Sequence, residues 1–320
     1  DRSPSRGLGD VYKRQEFKIT RKNIRTNPVP YYGMVKDSIG YLALSSFTEN
    51  SAKDFKKAFI ELKQKGAKSL IIDLRDNGGG SLSEAVDIVN LYVPKGQEIV
   101  VTKGKVRQAQ GSYKTQNEPV DTQIPLAVLV NGATASASEI VSGSLQDLDR
   151  AVVIGSRTFG KGLVQTIRPL PYNGTLKVTT SKYYIPSGRC IQAIDYAKKN
   201  ADGSVARTPD SLTTVFHTAA GREVRDGGGI RPDIEVKEDR FPNIPFYLLN
   251  DDLIFDYVTS YCIKHPVLAS VDSIRITDED YKEFKELVKS RNFTYDRQSE
   301  KMLKTLKEVA EFEGYMEGAS

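Results

Sequence analysis

Histidine, cysteine and tryptophan are scarce in this chain. Its 320 residues include two His, two Cys and no Trp. Neither the histidines, His217 and His265, nor the cysteines, Cys190 and Cys262, show the close spacing of metal-binding motifs. We therefore expect no metal site, and histidine-dependent catalysis would need one of two residues outside the glycine-rich segments. The two cysteines can either pair or stay free.

Long apolar runs and dense blocks of charge are also missing. No stretch of about 18 apolar residues exists, so we expect no integral membrane segment. Lys and Arg number 46 against 41 Asp and Glu, a net charge of +5. The lysines of residues 51–65 alternate with apolar residues at helical spacing, which is typical of a solvated helix face. Nucleic-acid binding is therefore disfavoured.

The pattern along the chain predicts three regions. Residues 1–15 have little periodicity and resemble a non-native leader, with a disordered arm as the alternative. Residues 27–240 alternate apolar strands with amphipathic helices, which predicts an α/β domain with a largely parallel sheet. Residues 241–320 form a helical region, with the helical pattern clear from Asn250 onward. The strands are predicted at 17–24, 39–44, 69–74, 125–130, 151–155 and 175–185, with a further strand after the loop at 158–167, and the helices at 51–65, 82–91 and 136–148.

The first segment with chemical potential is the glycine-rich turn 73–80 (DLRDNGGG), between a predicted strand and a helix. Backbone N–H groups in such a turn can bind an anion. A phosphate loop is one interpretation, although no Gly-Lys-Ser/Thr follows. An oxyanion hole for acyl chemistry is the second, and a tight structural turn is the third.

The second segment is the small-residue turn 131–139 (NGATASASE). A serine in this place would present its hydroxyl near a helix N-terminus, as in a nucleophile elbow, although Gly-x-Ser-x-Gly is absent. The alternative is structural, because Ser136 and Glu139 have the spacing of a capping box.

The third segment is the loop 158–165 (TFGKGLVQ), which carries a lysine between two glycines. A surface lysine in a turn is the ordinary interpretation. A lysine packed into a cleft is the alternative, because burial disfavours the ammonium and leaves a neutral amine as a general base. Such a base activates a serine without histidine, which this histidine-poor chain makes attractive.

These three segments, in this order, resemble those of the carboxyl-terminal processing proteases, also called tail-specific proteases. The resemblance implies that the first serine of Ser-Ala-Ser-Glu, here Ser136, is the nucleophile and that Lys161 of Phe-Gly-Lys-Gly is the general base. It also implies that Gln165 orients the lysine amine. Asp147 matches a supporting aspartate of the family, although a capping or surface role fits it equally.

The resemblance further implies an oxyanion hole and a fold. The hole would use the N–H of Ala137 and that of a glycine, either Gly78 or Gly79, because this chain has Asn-Gly-Gly-Gly where the family often has Asn-Pro-Gly-Gly. The fold would be a crotonase-like or Clp-protease-like ββα core, followed by the helical C-terminal region.

The family usually carries a PDZ module that captures the substrate's C-terminus. Only residues 16–26 resemble the end of one, so the PDZ module is expected to be largely missing. The resemblance implies polypeptide substrates with accessible C-terminal tails and no cofactor. It also implies an extracytoplasmic location in a bacterium, and it is compatible with a homo-oligomer. Two alternatives stay open: a crotonase-like acyl-coenzyme A enzyme and a non-catalytic peptide-binding homologue.

Overall fold

A computed structural model describes residues 20, 26–36, 38–199, 205–237, 242–266, 274–295 and 297–315. The chain forms two compact units, Asp1–Glu238 and Asp239–Ser320. The predicted leader 1–15 lies outside the described residues. So do the strand predicted over Phe17–Ile24 and the PDZ remnant 16–26, apart from positions 20 and 26.

A six-stranded sheet forms the centre of the first unit, in the order β1-β2-β3-β6-β7-β14. Strand β1 runs antiparallel to β2, and the other neighbours are parallel. The prediction of an α/β fold with a largely parallel sheet is confirmed. Its strands are β1 (Tyr31–Met34), β2 (Ile39–Ala43), β3 (Ser69–Asp73), β6 (Leu126–Val130), β7 (Val152–Gly155) and β14 (Ile234–Glu235).

Three helices accompany the central sheet: α1 (Ser51–Gln64), α2 (Leu82–Val89) and α3 (Ala137–Asp147). Helix α1 buries Phe55, Phe59 and Leu62 at helical spacing, so its lysines stay on the opposite face. Gly66 follows its end with φ of 93°, a left-handed conformation that glycine adopts without steric cost. All eleven residues of α3 are buried, so this helix lies in the core.

A second, four-stranded antiparallel sheet has the order β5-β4-β9-β8, which leaves β8 at an edge. Strand β9 and a strand after the lysine loop, which is β8, were predicted. Strands β4 and β5 were not, although β4 contains the buried residues Ile99 and Val100. Two further strand pairs, β10–β11 and β12–β13, complete the unit. The strands are β4 (Glu98–Gly104), β5 (Gly111–Lys114), β8 (Leu163–Pro169), β9 (Thr175–Tyr184), β10 (Ile194–Lys199), β11 (Val205–Arg207), β12 (Val215–His217) and β13 (Glu223–Arg225).

The second unit is helical. Its helices are α4 (Ile244–Asn250), α5 (Leu253–Lys264), α6 (Asp278–Ser290) and α7 (Gln298–Phe312). Placing the start of the helical pattern at Asn250 was wrong, because α4 already begins at Ile244. Pro245 stands in the first turn of α4, where its missing N–H has no helical partner to lose. No helix in the described parts of the chain is long and apolar enough to cross a membrane.

Candidate active site

A cleft of about 470 Å³ in the first unit brings the three sequence segments together. Six of the seven predicted site residues line it, and Asp147 does not. Besides two lysines, a serine and a glutamine, the described lining residues are glycines and residues with apolar or aromatic side chains, and none of them carries a carboxylate. The lining residues are Gly78, Gly79, Gly80, Leu82, Ser136, Ala137, Ile140, Lys161, Leu163, Val164, Gln165, Lys177 and Tyr183.

Ser136 stands at the turn between strand β6 and helix α3, with φ of 58°. Residues other than glycine rarely adopt positive φ, so the fold holds this serine in a strained conformation. Its side chain is half-buried in the cleft. Ala137 is the first residue of α3, so its N–H is one of the helix N-terminal donors that lack an intrahelical acceptor. A reactive serine beside a free N–H is the arrangement that acyl chemistry requires.

Glu139 fixes the position of both the serine turn and the lysine loop. Its Oε2 accepts the Ser136 N–H at 2.9 Å and the Lys161 N–H at 2.8 Å. Its Oε1 accepts the Gly160 N–H at 2.7 Å and the Thr158 hydroxyl at 2.6 Å. The Glu139 half of the predicted capping box is therefore confirmed, but the same carboxylate also holds a loop about twenty residues away in sequence.

The Glu139 carboxylate is completely buried. Burial raises its pKa above the ordinary 4.5, and the four hydrogen bonds it accepts offset part of that rise. Because all four of its partners are donors, the ionised form is the one that matches this site.

Tyr183 of β9 contacts the same two segments. Its hydroxyl lies 3.2 Å from the carbonyl oxygen of Ser136 and also donates to the carbonyl oxygen of Lys161. The ring is buried, and this burial raises the pKa of the phenol well above its usual value. Tyr183 and Glu139 together attach the serine turn to the lysine loop through backbone atoms on both sides.

Asn77 positions the glycine-rich turn against the serine turn. Its side-chain N–H donates to the Leu44 carbonyl at 2.7 Å, and its side-chain oxygen accepts the Gly79 N–H at 2.9 Å. Its carbonyl oxygen accepts the Ala135 N–H at 3.0 Å and the Ser138 hydroxyl at 2.9 Å. The two turns are thereby held side by side in the core.

The two candidate glycines differ in surroundings. A Cβ on Gly79 would lie 2.7 Å from the Ala135 carbonyl oxygen and 2.8 Å from the Ser136 Cβ, and Gly79 has φ of +96°. A Cβ on Gly78 would meet nothing within 4 Å. Gly79 is therefore required for the close approach of the turns. Its N–H is engaged by Asn77, whereas the Gly78 N–H has no acceptor among the described residues.

The two predicted partners of Ser136 line the same cleft, but neither forms a hydrogen bond with the Ser136 hydroxyl among the described residues. Lys161 is half-buried and Gln165 is exposed on β8. The hydrogen bonds of the described residues include none from the Lys161 amine to the Ser136 hydroxyl or to the Gln165 side chain. The Ser–Lys dyad and the orienting role of Gln165 therefore stay predictions.

The structure places Asp147 elsewhere. It is buried at the C-terminal end of α3, and its carboxylate pairs with the equally buried Arg189 at 2.8 Å. It also accepts the Ser187 N–H at 3.0 Å. Asp147 thus holds the loop after β9, and the cleft lining does not include it.

The remaining sequence candidates lie apart from this chemistry. His217 is exposed at the end of β12 and is not part of the cleft lining. His265, in the second unit, is exposed at the end of α5 and stacks on Tyr261. Cys190 and Cys262 are free. No cluster of His, Cys, Asp or Glu suited to a metal ion occurs within the described ranges.

Comparison with known proteins assigns the family. Residues 38–199, about half of the chain, match "Peptidase family S41", and residues 244–320 match "Probable PDZ-protease, C-terminal helical domain". Together with the α/β fold, this places the chain in the class of serine-type peptidases. Within that class, the chain belongs to peptidase family S41.

Individual relatives agree with this family. The carboxy-terminal-processing protease of Bartonella bacilliformis is 42% identical over 188 residues, which are 58% of this chain and 43% of that protein. The carboxyl-terminal-processing protease of Synechocystis is 42% identical over 183 residues, or 56% and 42% of the two chains. This chain therefore spans less than half the length of these relatives.

A solved structure supports the fold. The photosystem II D1 C-terminal processing protease is similar with a TM-score of 0.50 and 28% sequence identity, over 70% of this chain and 52% of that one.

Sequence reasoning identified six of the thirteen described residues that line the cleft but missed two residues that position them. Glu139 was seen only as a helix-capping residue, because nothing in the sequence shows that its carboxylate reaches residues 158–161. Tyr183 was one aromatic residue in an alternating strand, and nothing local distinguishes it from a core residue. Both roles depend on contacts between distant segments.

Proposed function

We propose that this chain is a serine endopeptidase that cleaves polypeptides near their C-termini through an acyl-enzyme, with Ser136 as nucleophile and Lys161 as general base. The observation that carries the proposal is the shared anchor Glu139. One buried carboxylate binds the backbone of both residues, at 2.9 and 2.8 Å. Capping of helix α3 requires only the bond from Glu139 to Ser136, so the additional bonds from Glu139 to the lysine loop serve to position that loop.

The proposed reaction begins when the neutral Lys161 amine takes the proton of the Ser136 hydroxyl. The resulting oxygen nucleophile attacks the scissile carbonyl carbon, and the negative charge moves to the carbonyl oxygen. The protonated lysine then gives its proton to the leaving amine, and the C–N bond breaks. Lys161 next activates a water molecule that hydrolyses the ester and restores Ser136.

The oxyanion of the tetrahedral intermediate needs two N–H donors. Ala137 supplies one from the start of α3. Gly78 is the better second candidate in this conformation, because its N–H has no acceptor among the described residues while the N–H of Gly79 is bound to Asn77. Each such donor contributes about 3–4 kcal/mol to transition-state stabilisation. Gln165 is proposed to orient the lysine amine once substrate closes the cleft.

The substrate is proposed to bind as an extended strand. Strand β8 is an edge of the antiparallel sheet and runs directly on from the lysine loop. Its unpaired backbone groups can hydrogen-bond an added strand. The substrates would be polypeptides with accessible C-terminal tails, and the proposed location is extracytoplasmic, as the resemblance implies.

The lining of the cleft weighs against an acyl-coenzyme A enzyme. The crotonase-like alternative needs acidic residues in the site, and no Asp or Glu is among the described residues that line this cleft. Glu139 lies three positions after Ser136, but its carboxylate is buried and already accepts four hydrogen bonds. A non-catalytic homologue is the alternative that the following experiment addresses.

The test incubates the purified 320-residue chain with an unfolded protein and identifies the products by mass spectrometry. We expect cleavage near the substrate's C-terminus, and a loss of about 10³-fold or more in Ser136→Ala and in Lys161→Ala. Lys182→Ala, which changes an exposed lysine of β9 outside the cleft, is the matched control and should cleave normally. Full activity in Lys161→Ala would contradict the dyad.

A further inference from the structure

Lys177 of strand β9 is an exposed residue that lines the same cleft as the catalytic candidates, but the proposed reaction gives it no task. It forms no ion pair with any described residue, and none of the described residues that line the cleft is an Asp or Glu that could neutralise its charge. A lysine in a cleft without an acidic partner leaves a positive charge available to a ligand.

The charge distribution around Lys177 has one sign. Strands β8 and β9 with their connecting turn, residues 163–184, contain Arg168, Lys177 and Lys182 and no Asp or Glu. Lys161 adds a further amine at the other end of the cleft. This edge of the sheet therefore attracts negative charge and repels positive charge.

The strand register gives the position of Lys177 along β9 relative to Tyr183, which contacts the serine turn. Lys177 pairs with Ile167, near the outer end of β8, whereas Tyr183 of the same strand contacts the Ser136 carbonyl. Six positions separate the two residues, which is roughly 20 Å at about 3.4 Å per residue. The side chain of Lys177 is among those that line the cleft. An extended peptide covers that distance with about four to six residues.

We propose that Lys177 binds a carboxylate of the substrate, about four to six residues from the scissile bond, and so favours peptides that carry a carboxylate at that distance over peptides that lack one. This inference rests on the proposed peptidase function. The carboxylate is either the terminal α-carboxylate of the polypeptide or an Asp or Glu side chain. Both present the same chemistry to the ammonium.

Binding is tested first, in the Ser136→Ala background, so that no cleavage is needed. Three fluorescent peptides share one sequence, with a central segment taken from a mapped cleavage site. The first has a free terminal carboxylate and Gln at the chosen position. The second has a terminal amide and Glu, and the third has a terminal amide and Gln. The Glu position is scanned four to six residues from the scissile bond on either side.

We expect the first or the second peptide to bind about three- to tenfold more tightly than the third at low salt, with a smaller ratio at high salt. In Lys177→Gln, the peptides with and without the carboxylate should bind equally, whereas Lys177→Arg should keep the preference for the carboxylate. Lys177→Glu should instead prefer a peptide with Lys at the same position. Lys182→Gln, on the same strand but outside the cleft, is the matched control and should keep the preference for the carboxylate. Preference for the first peptide identifies the terminal carboxylate, and preference for the second identifies a side chain.

Equal binding of the three peptides, or a preference that persists in Lys177→Gln, would overturn the inference. The same ratios measured as kcat/KM in the chain with Ser136 intact separate this outcome from failure of the proposed function. If carboxylate-dependent binding requires Lys177 but no peptide is cut, the binding site stands and the peptidase proposal fails. If peptides are cut with equal efficiency whatever their charge, the peptidase stands and the Lys177 site fails.

Discussion

The carboxylate of Glu139 accepts the backbone N–H of Lys161 at 2.8 Å through the same oxygen that accepts the Ser136 N–H at 2.9 Å. The loop that carries the proposed base and the turn that carries the proposed nucleophile are thus held by one atom. Displacement of this oxygen would change the separation of the two side chains, and catalysis is sensitive to errors of about 1 Å in such distances.

Glu139→Gln should reduce both activity and stability. Each carboxylate oxygen accepts two donors, so the amide NH₂ of glutamine would face donors in either orientation. We expect a loss of at least about tenfold in kcat and of roughly 1–3 kcal/mol in the free energy of unfolding. Steady-state kinetics and denaturant unfolding measure the two. Thr158→Ser keeps the hydroxyl that donates to Glu139 and is the control. Unchanged kcat in Glu139→Gln would show that this anchor does not position the site.

As the pH is lowered, the enzyme should lose activity before it unfolds. Burial raises the pKa of Glu139 above 4.5, so its protonation begins above that pH and removes an acceptor from the site. A carboxyl whose pKa is raised by folding binds its proton more tightly in the folded state. Protonation of Glu139 therefore does not destabilise the fold in this window. As the pH is lowered towards 4.5, we expect kcat to fall reversibly while the circular dichroism signal of the folded chain is unchanged. Coincident loss of activity and structure would contradict this.

Gly79→Ala should be far more damaging than Gly78→Ala. The new Cβ at position 79 would lie within 3 Å of Ala135 and Ser136, at a φ of +96° that alanine rarely adopts, whereas position 78 is open. The two substitutions are chemically identical and one residue apart, so each controls for the other. We expect at least about a hundredfold loss of kcat/KM in Gly79→Ala and less than about threefold in Gly78→Ala, which retains its N–H. Equal effects would show that the turn does not pack against Ser136 as described.

Asp147→Asn should lower stability without a specific effect on the reaction. The substitution leaves the buried Arg189 guanidinium without its charge partner, which costs about 3–5 kcal/mol. Measurement of the unfolding free energy tests this, with Asp87→Asn on the exposed side of α2 as the control. Normal stability together with a large loss of kcat would instead support a catalytic role for Asp147.

The sequence predicted those parts of the site that depend on local chemistry. A buried strand followed by glycine or small residues predicts a turn at a helix start. This located Ser136 and the glycine-rich turn, with Gly78 and Gly79 left as alternatives. Lys161 was found because two glycines flank it in a loop after a strand. The resemblance to the processing proteases then linked these residues, which pattern alone could not do.

The remaining features depend on contacts between segments distant in sequence. The link from Glu139 to residues 158–161 cannot be read from a helix-capping pattern. Asp147 looked like a site residue because of its family position, but its partner Arg189 lies 42 positions later, which only the fold shows. Strand β5 is short and polar, so it is defined by its pairing with β4 rather than by a hydrophobic pattern. Strand β4 contains the buried residues Ile99 and Val100, and it pairs with β9, about 80 positions later in the chain.

The central claim is that Ser136 is the nucleophile and Lys161 its base. Its most direct test is the rate at which a serine-directed fluorophosphonate labels the chain, with the adduct located by peptide mass spectrometry. We predict one adduct, on Ser136, no labelling in Ser136→Ala, and labelling at least about a hundredfold slower in Lys161→Ala than in the Lys182→Ala control. An adduct on another serine, or labelling of Ser136 at an unchanged rate in Lys161→Ala, would contradict the account.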